Sequence, residues 1–234
     1  MERVDKLLAS TGQWSRREVK QLCRQGRVTA AGVPVSADDK VDGGTALAVD
    51  GRPMEAEGTV WLMLHKPAGL LSATRDPKQP TVLSLLPERY GKMGLFPVGR
   101  LDKDTEGLLL LTNDGALAHR LLSPKKHVDK VYYVETEGEL TQADADAFAA
   151  GMLLADGTLC RPAQLRLLGE NRGEITLREG KYHQIKRMLA ARGKPVAYLK
   201  RVAFGPLELD GRLKKGEWRV LTGEEKAALE EEKK

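Results

Sequence analysis

Residues 99–115 read GRLDKDTEGLLLLTNDG, and this stretch constrains the fold more than any other. Leu108 to Leu111 form an unbroken apolar run that the turn residues Asn113-Asp114-Gly115 close off. A short apolar run bounded by turn signals reads as a buried strand. Ahead of it, Asp102, Asp104 and Glu106 crowd together behind Arg100. A charged loop feeding a rigid strand is a common way to present a reactive group, because the loop stays accessible while the strand holds it. The same pattern also describes a plain surface loop of acids before a core strand, so residues elsewhere must decide between the two.

Charge is the next constraint. A net charge of +5 and a pI near 9.1 favour a polyanionic partner. Between Met1 and Val35 seven bases (Arg3, Lys6, Arg16, Arg17, Lys20, Arg24, Arg27) stand against three acids (Glu2, Asp5, Glu18). From Ser36 to Gly58 the balance reverses, with two bases (Lys40, Arg52) against six acids. With three Trp, three Phe and five Tyr, any stacking platform for bases must rest on a few residues. Cys23 and Cys160 are far apart and in no CxxC arrangement, which argues against a zinc site or a disulfide framework and points to a reducing compartment. No run resembles a signal peptide or approaches the roughly 18 apolar residues of a membrane span. A cytoplasmic monomer is the expectation.

At 234 residues the chain can hold a small domain and a medium one. Helical spacing places Val4, Leu7 and Leu8 on one side of a first helix, and Ser15 caps a second that ends near Gly26. Short strands follow at 27–29, 33–35 and 46–49, closing a unit of 58 residues with a linker at Ala56-Glu57-Gly58. Past it, strands are expected over 60–64, 70–73, 108–111, 131–135, 153–154, 163–168 and 174–177, with 196–201 leading to a strand around 207–209 and a last one over 218–221. Helices are expected over 82–86 (closed by Pro87), 116–122, from Thr141 to about Met152, over 183–191, and in the charged tail. Lys125, Lys126, His127 and Lys130 make a basic segment. The elements are interspersed without regular βαβ alternation. That favours an α+β fold, a small αα-β unit followed by a domain with a mixed, largely antiparallel central sheet flanked by helices.

Phosphate-cradling, serine-hydrolase and zinc-protease motifs are absent, and the four histidines read as structural or surface residues. What remains is a set of carboxylates in a basic protein. A carboxylate can act as a covalent nucleophile toward a sugar or an electrophilic ring. An enzyme that works on a base must first take it out of its stack.

Arg16, Arg17, Lys20 and Arg24 lie on the second helix, where such a face can grip phosphates. SRREVKQLCRQGRVTAAGVPV resembles the RNA-binding motif of S4 domains, with Ala31 where that pattern usually has Asn or Asp. GRLDKDTEGLLLLTNDG resembles the central motif of the RsuA-type pseudouridine synthases, and KVYYV (130–134) and EGKYHQIKRMLAARGKPV (179–196) resemble two further motifs of that family, in order. The resemblance covers nearly the whole chain. It implies a domain 1–58 that binds RNA and a catalytic domain 59–234 that isomerises uridine to pseudouridine, with no metal, redox carrier or nucleotide cofactor. By the same resemblance Asp102 is the nucleophile, attacking C1′ of the sugar or C6 of the base; the sequence leaves both open. Tyr132 would stack on the base and Lys186 would pair with Asp102. Ile185 would pack on the base's other side, Arg100 would fill the space of the flipped base or contact phosphate, and Arg187 would meet RNA backbone. Asp104 and Glu106 are assigned to structure or electrostatics, and Thr105 to fixing the loop through its hydroxyl. SPKKHVDKVYYV and EGKYHQIKRM favour the 16S rRNA branch, acting on ribosomal RNA in an assembling small subunit. The alternatives are a 23S rRNA enzyme, a non-catalytic ribosome-assembly factor on the same fold, and a glycosidase-like nucleoside hydrolase.

Overall fold

The structure is a computed structural model that describes residues 1–123 and 128–232; Lys125, Lys126 and His127 of the expected basic segment lie outside the described residues. Its N-terminal unit runs β1 (Glu2–Arg3), α1 (Val4–Ala9), α2 (Arg16–Arg24), β2 (Val28–Ala30), β3 (Val33–Pro34), β4 (Lys40–Val41), β5 (Leu47–Val49) and β6 (Arg52–Met54). Val4, Leu7 and Leu8 turn inward together, as their spacing predicts, and pack on Val19, Leu22, Val28, Leu47 and Val49. Ser15 starts α2 with a reciprocal capping box: the Glu18 amide donates to its hydroxyl, and its own amide donates to the Glu18 carboxylate. β6 was not expected. It pairs with β5 through Asp50 and Gly51, both at positive φ, so an Asp-Gly hairpin signal was there to be read.

The larger unit runs β7 (Trp61–Lys66), α3 (Glu88–Lys92), β8 (Phe96–Pro97), β9 (Glu106–Thr112), α4 (Gly115–Leu122), β10 (Lys130–Thr136) and α5 (Gln142–Ala150). It continues through β11 (Met152–Leu153), β12 (Leu159–Cys160), β13 (Gln164–Gly169), β14 (Arg172–Leu177), α6 (Gln184–Ala191), β15 (Val196–Phe204), β16 (Leu207–Glu208), β17 (Trp218–Val220) and α7 (Gly223–Glu231). The main sheet has the order β13-β14-β10-β15-β9-β7-β17. β9 and β15 run parallel and the remaining neighbours antiparallel, so the sheet is mixed and largely antiparallel, as expected.

β9 lies inside the sheet and is buried along its whole length. Leu109 and Leu111 belong to a core with Val134, Phe148, Ile175, Met188 and Leu189. Leu108 and Leu110 belong to a second core with Leu117, Leu121, Phe204 and Leu229. Each such leucine contributes about 1.5–3 kcal/mol of burial, which anchors the loop leading into β9. Gly107 makes the parallel pairing possible. It sits at φ +104, and a Cβ there would lie 2.1 Å from the Arg201 carbonyl oxygen. Only glycine lets the two backbones approach so closely.

Three expectations need correction. The strand at 70–73 is a single bridge, Leu71 to Thr81, because Ser72 instead holds the Leu101 backbone. The helix at 82–86 is a 3₁₀ turn over Val82–Leu85, and Pro87 opens α3 rather than ending an element. Proline lacks an amide that the first helical turn does not need. α5 stops at Ala150, since Gly151 takes φ +81 and Met152 begins a strand.

Candidate active site

The loop between β8 and β9 carries Asp102, and three buried groups set its backbone. Ser72 donates to the Leu101 carbonyl at 2.9 Å and accepts from the Leu101 amide at 3.1 Å. The Thr105 amide donates to the Asp102 carbonyl at 3.1 Å, closing a tight turn. Beneath it lies Lys66, the last residue of β7, with no exposed surface. Its ammonium donates to the carbonyls of Pro67, Asp102, Lys103 and Thr105 at 2.9–3.2 Å. Burial lowers the Lys66 pKa to about 8, against the pull of Asp104, Glu106 and Asp102.

Asp102 keeps its carboxylate partly exposed at the mouth of a cleft lined by Arg100, Thr105, Tyr132, Leu177, His183, Ile185, Lys186 and Leu199. Lys186 Nζ stands 3.5 Å from Asp102 Oδ2, and His183 Nε2 stands 3.5 Å from Asp102 Oδ1. Lys186 lies closer still to Asp104, at 2.5 Å, and this bond holds the Asp104 carboxyl below the usual range. Tyr132 and Ile185 are both nearly buried and belong to the first core, so packing fixes their positions. Tyr133 points away, its hydroxyl donating to Glu135 at 2.6 Å, as strand alternation requires.

Of the expected residues, Asp102, Tyr132, Lys186, Arg100 and Ile185 therefore meet in one cleft. Arg187 does not join them. Its guanidinium is tied to Asp156 at 2.5 Å, Thr158 at 3.2 Å and the Tyr182 carbonyl at 3.2 Å, because the next helical position turns away from the cleft. Thr105 fixes the loop through its backbone only, and its buried hydroxyl has no partner. Glu106 is tied to Lys215 at 2.7 Å and accepts from Tyr198 at 2.6 Å. Burial raises its carboxyl, but these two partners more than offset that. On α2, Arg16 is bound to the buried Asp5 at 2.9 Å, so it supports the N-terminal unit instead of standing free. Arg17, Lys20 and Arg24 remain exposed, with Lys20 4.0 Å from Asp38.

Two residues at the site escaped the sequence reading. Lys66 could have been found as the one cation of an otherwise apolar strand, next to a proline. His183 reads in the sequence as one of four scattered histidines, although it sits at the N-cap of α6, three positions before Lys186. It holds φ +47 and its ring stacks on Tyr182 at 3.9 Å.

Beyond Tyr132 the cleft opens into a cavity of about 600 Å³ whose lining includes Lys130, Arg178, Lys181 and Arg201 with the single acid Glu179. A carboxylate at the mouth, an aromatic wall and a cationic extension suit a nucleotide substrate.

The comparisons with known proteins agree. A profile of RNA pseudouridylate synthases matches residues 60–191, over half of the chain, and an S4 domain profile matches residues 2–47. The chain is 45% identical over 235 residues to the uncharacterized RNA pseudouridine synthase YtzG of Bacillus subtilis, covering 98% of each. It is 42% identical over 226 residues to the ribosomal small subunit pseudouridine synthase A of Pseudomonas aeruginosa, covering 95% of this chain and 98% of that one. The Escherichia coli protein of the same name is 40% identical over 230 residues, covering 97% and 99%. A crystal structure of a pseudouridylate synthase superposes with a TM-score of 0.70 at 34% identity, covering 98% of this chain and all of the other. With its motifs, its sheet and its cleft in accord, the chain belongs to the RNA pseudouridylate synthase family, isomerases of uridine in RNA, and carries an S4 domain ahead of the catalytic fold.

Proposed function

We propose that this enzyme isomerises one uridine of 16S rRNA in an assembling small subunit, with Asp102 as nucleophile toward a flipped base. The observation that carries this reading is the convergence of Asp102, Tyr132 and Lys186, remote in sequence, on one cleft. In the C1′ route a carboxylate oxygen of Asp102 attacks C1′, and the N1–C1′ bond breaks as the ester forms. The uracil turns between Tyr132 and Ile185. C5 then attacks C1′ and expels the carboxylate, the proton on C5 leaves, and N1 gains one. Attack at C6 uses the same carboxylate and the same rotation. Lys186 stabilises the ionised Asp102, Tyr132 offers a stacking face, and Arg100 at the rim fills the gap left by the base or meets phosphate.

The preference for 16S rRNA rests on the names of the relatives at 40–42% identity and on the motifs at 123–134 and 179–188. We place the domain division at 58/59, where the S4 profile has ended and the synthase profile is about to begin. No helix among the described residues is long and apolar enough to cross a membrane.

The test is Asp102→Asn, assayed by carbodiimide labelling and primer extension on small-subunit rRNA. The variant should bind RNA as wild type does and lose at least ~10⁴-fold in rate. Substantial pseudouridine formation by it would overturn the assignment. Mass spectrometry of rRNA from a strain lacking the protein tests the substrate, and a uridine restored in 23S rRNA instead would overturn the 16S reading.

A further inference from the structure

Among the described residues, Lys130 and Arg201 are two cations at the site with no ion-pair partner. Arg201 is 2% exposed, yet it makes no ion pair with a described residue. Its Nε donates to the Leu108 carbonyl at 2.8 Å, while its buried Nη2 has no partner. Among the described residues, Lys130 donates to the Val128 carbonyl alone, at 2.9 Å. The carboxylate beside it in sequence, Asp129, is held by Arg178 at 2.7 Å. Both cations lie against one aromatic ring, with Arg201 Cζ 5.3 Å and Lys130 Nζ 5.6 Å from the centre of Phe204.

A buried charge is costly unless it is paired. Buried Arg201 and half-buried Lys130 together, held in place by strand pairing and by a ring, form a site that an anion would complete. Their position says which anion. Arg201 lies directly across the β10–β15 ladder from Tyr132, and Lys130 is two residues before Tyr132 on the same face of β10. Both line the cavity that continues from the cleft past Tyr132. A group bound there lies beside a base stacked on Tyr132, whose ring lines the same cavity. The cavity wall carries one acid against several bases, which excludes a cationic occupant.

We infer that Lys130 and Arg201 form a binding site for an RNA backbone phosphate adjoining the target uridine. The inference rests on the proposed site at Asp102 for its register. Binding there orients the nucleotide by a point that does not change during the isomerisation, while the base turns. Arg201 also tethers the Leu108 backbone at the head of β9, so phosphate capture bears on the strand that carries the Asp102 loop.

The test uses the full-length protein and the variants Lys130→Met, Arg201→Gln and Arg201→Lys. The first readout is steady-state pseudouridine formation on a 16S rRNA transcript across a salt series. Lys130→Met and Arg201→Gln should each raise KM about ten-fold and flatten the log KM against log salt slope by about 0.7–0.9, the share of one phosphate. Arg201→Lys should keep the wild-type slope. The second readout needs no catalysis: thermal shift with uridine, uridine 5′-monophosphate and inorganic phosphate. Uridine 5′-monophosphate should stabilise wild type more than uridine does, and Lys130→Met should erase the difference. A lower melting temperature with unchanged KM and salt slope would mean that the pair is merely structural and would overturn the inference. So would inorganic phosphate stabilising wild type as much as uridine 5′-monophosphate while KM stays the same in the variants, because the site would then be one for free anions. If wild type shows the monophosphate effect and forms no pseudouridine on 16S rRNA, the phosphate site stands and the catalytic assignment fails.

Discussion

The ammonium of Lys66 stands 3.1 Å from the carbonyl oxygen of Asp102. A fully buried cation at the end of β7 thus holds the backbone beneath the proposed nucleophile in the loop before β9, and it holds two further carbonyls of that turn, Lys103 and Thr105, besides that of Pro67. The loop is presented to solvent on one side and clamped on the other.

Lys66→Met should therefore damage both stability and rate. Four carbonyls lose a donor; those of Asp102 and Lys103 keep the Thr105 and Gly69 amides, while the buried Thr105 carbonyl loses its ammonium, and a buried polar group left unpaired costs about 1–3 kcal/mol before relaxation. A net loss of about 3–5 kcal/mol is expected, lowering the melting temperature by roughly 6–20 °C for a chain of this size. Calorimetry reads the stability, and single-turnover assays on the folded fraction read the rate. A variant with wild-type rate would show that the clamp does not position Asp102.

Asp104 is the nearer acceptor of Lys186, yet it is assigned no covalent role. Asp104→Asn releases Lys186 to Asp102 alone, and the turnover number should change by no more than about ten-fold, against the far larger loss in Asp102→Asn. Parallel turnover measurements compare the two. Equal losses would shift the nucleophile's assignment to the pair.

Gly107→Ala brings a methyl group to 2.1 Å from the Arg201 carbonyl oxygen and forces an L-residue to φ +104. The β9–β15 pairing cannot be kept, and a loss above about 4 kcal/mol is expected. Urea unfolding measures it. A midpoint within error of wild type would contradict the close approach of the two strands.

The bases of α2 divide into two kinds. Arg16→Gln removes a partner of the buried Asp5 and should lower the stability of the N-terminal unit. Arg17→Gln and Arg24→Gln should leave stability unchanged and each reduce the salt slope of RNA binding by about one. Filter binding across a salt series, with melting curves for each variant, separates the two behaviours.

Asp144 predicts an acid response. Burial raises its carboxyl, but Arg192 at 2.8 Å and the Thr141 amide and hydroxyl more than offset this and hold it below the usual carboxylate range. A carboxyl depressed in the folded state contributes stability that is present above its unfolded pKa and lost as pH falls through the folded one. The melting temperature should drop below about pH 4. Asp144→Asn should be less stable at neutral pH and change less across the acid range. Parallel acid profiles for the two proteins would rule Asp144 out as a source.

Much of the fold was legible because it is written in local patterns. The apolar run at 108–111, the Ser15 cap and the helical spacing of Val4, Leu7 and Leu8 each specify an element without reference to anything distant. Where reading failed, a longer-range partner had overridden the local signal. Ser72 joined the Asp102 loop instead of extending a strand, and Pro87 began a helix that depends on packing of Tyr90 and Met93 into the core. At the site, the motifs named Asp102, Tyr132 and Lys186. They could not show that Arg187 is tied to Asp156 or that Arg16 belongs to Asp5, since both choices depend on where a carboxylate far away in sequence comes to lie.

The sequence by itself determined the class of fold, the basic N-terminal helix and the identity of the loop at 99–105, because periodicity, capping and motif spacing are properties of neighbours along the chain. Only the tertiary structure decided which cations serve that loop. Lys66 lies under Asp102, Lys186 is shared between Asp102 and Asp104, and Lys130 and Arg201 stand beside Tyr132 with no ion pair among the described residues. The physical reason is that a charge takes its role from its nearest partners and from its distance to water, and folding sets both.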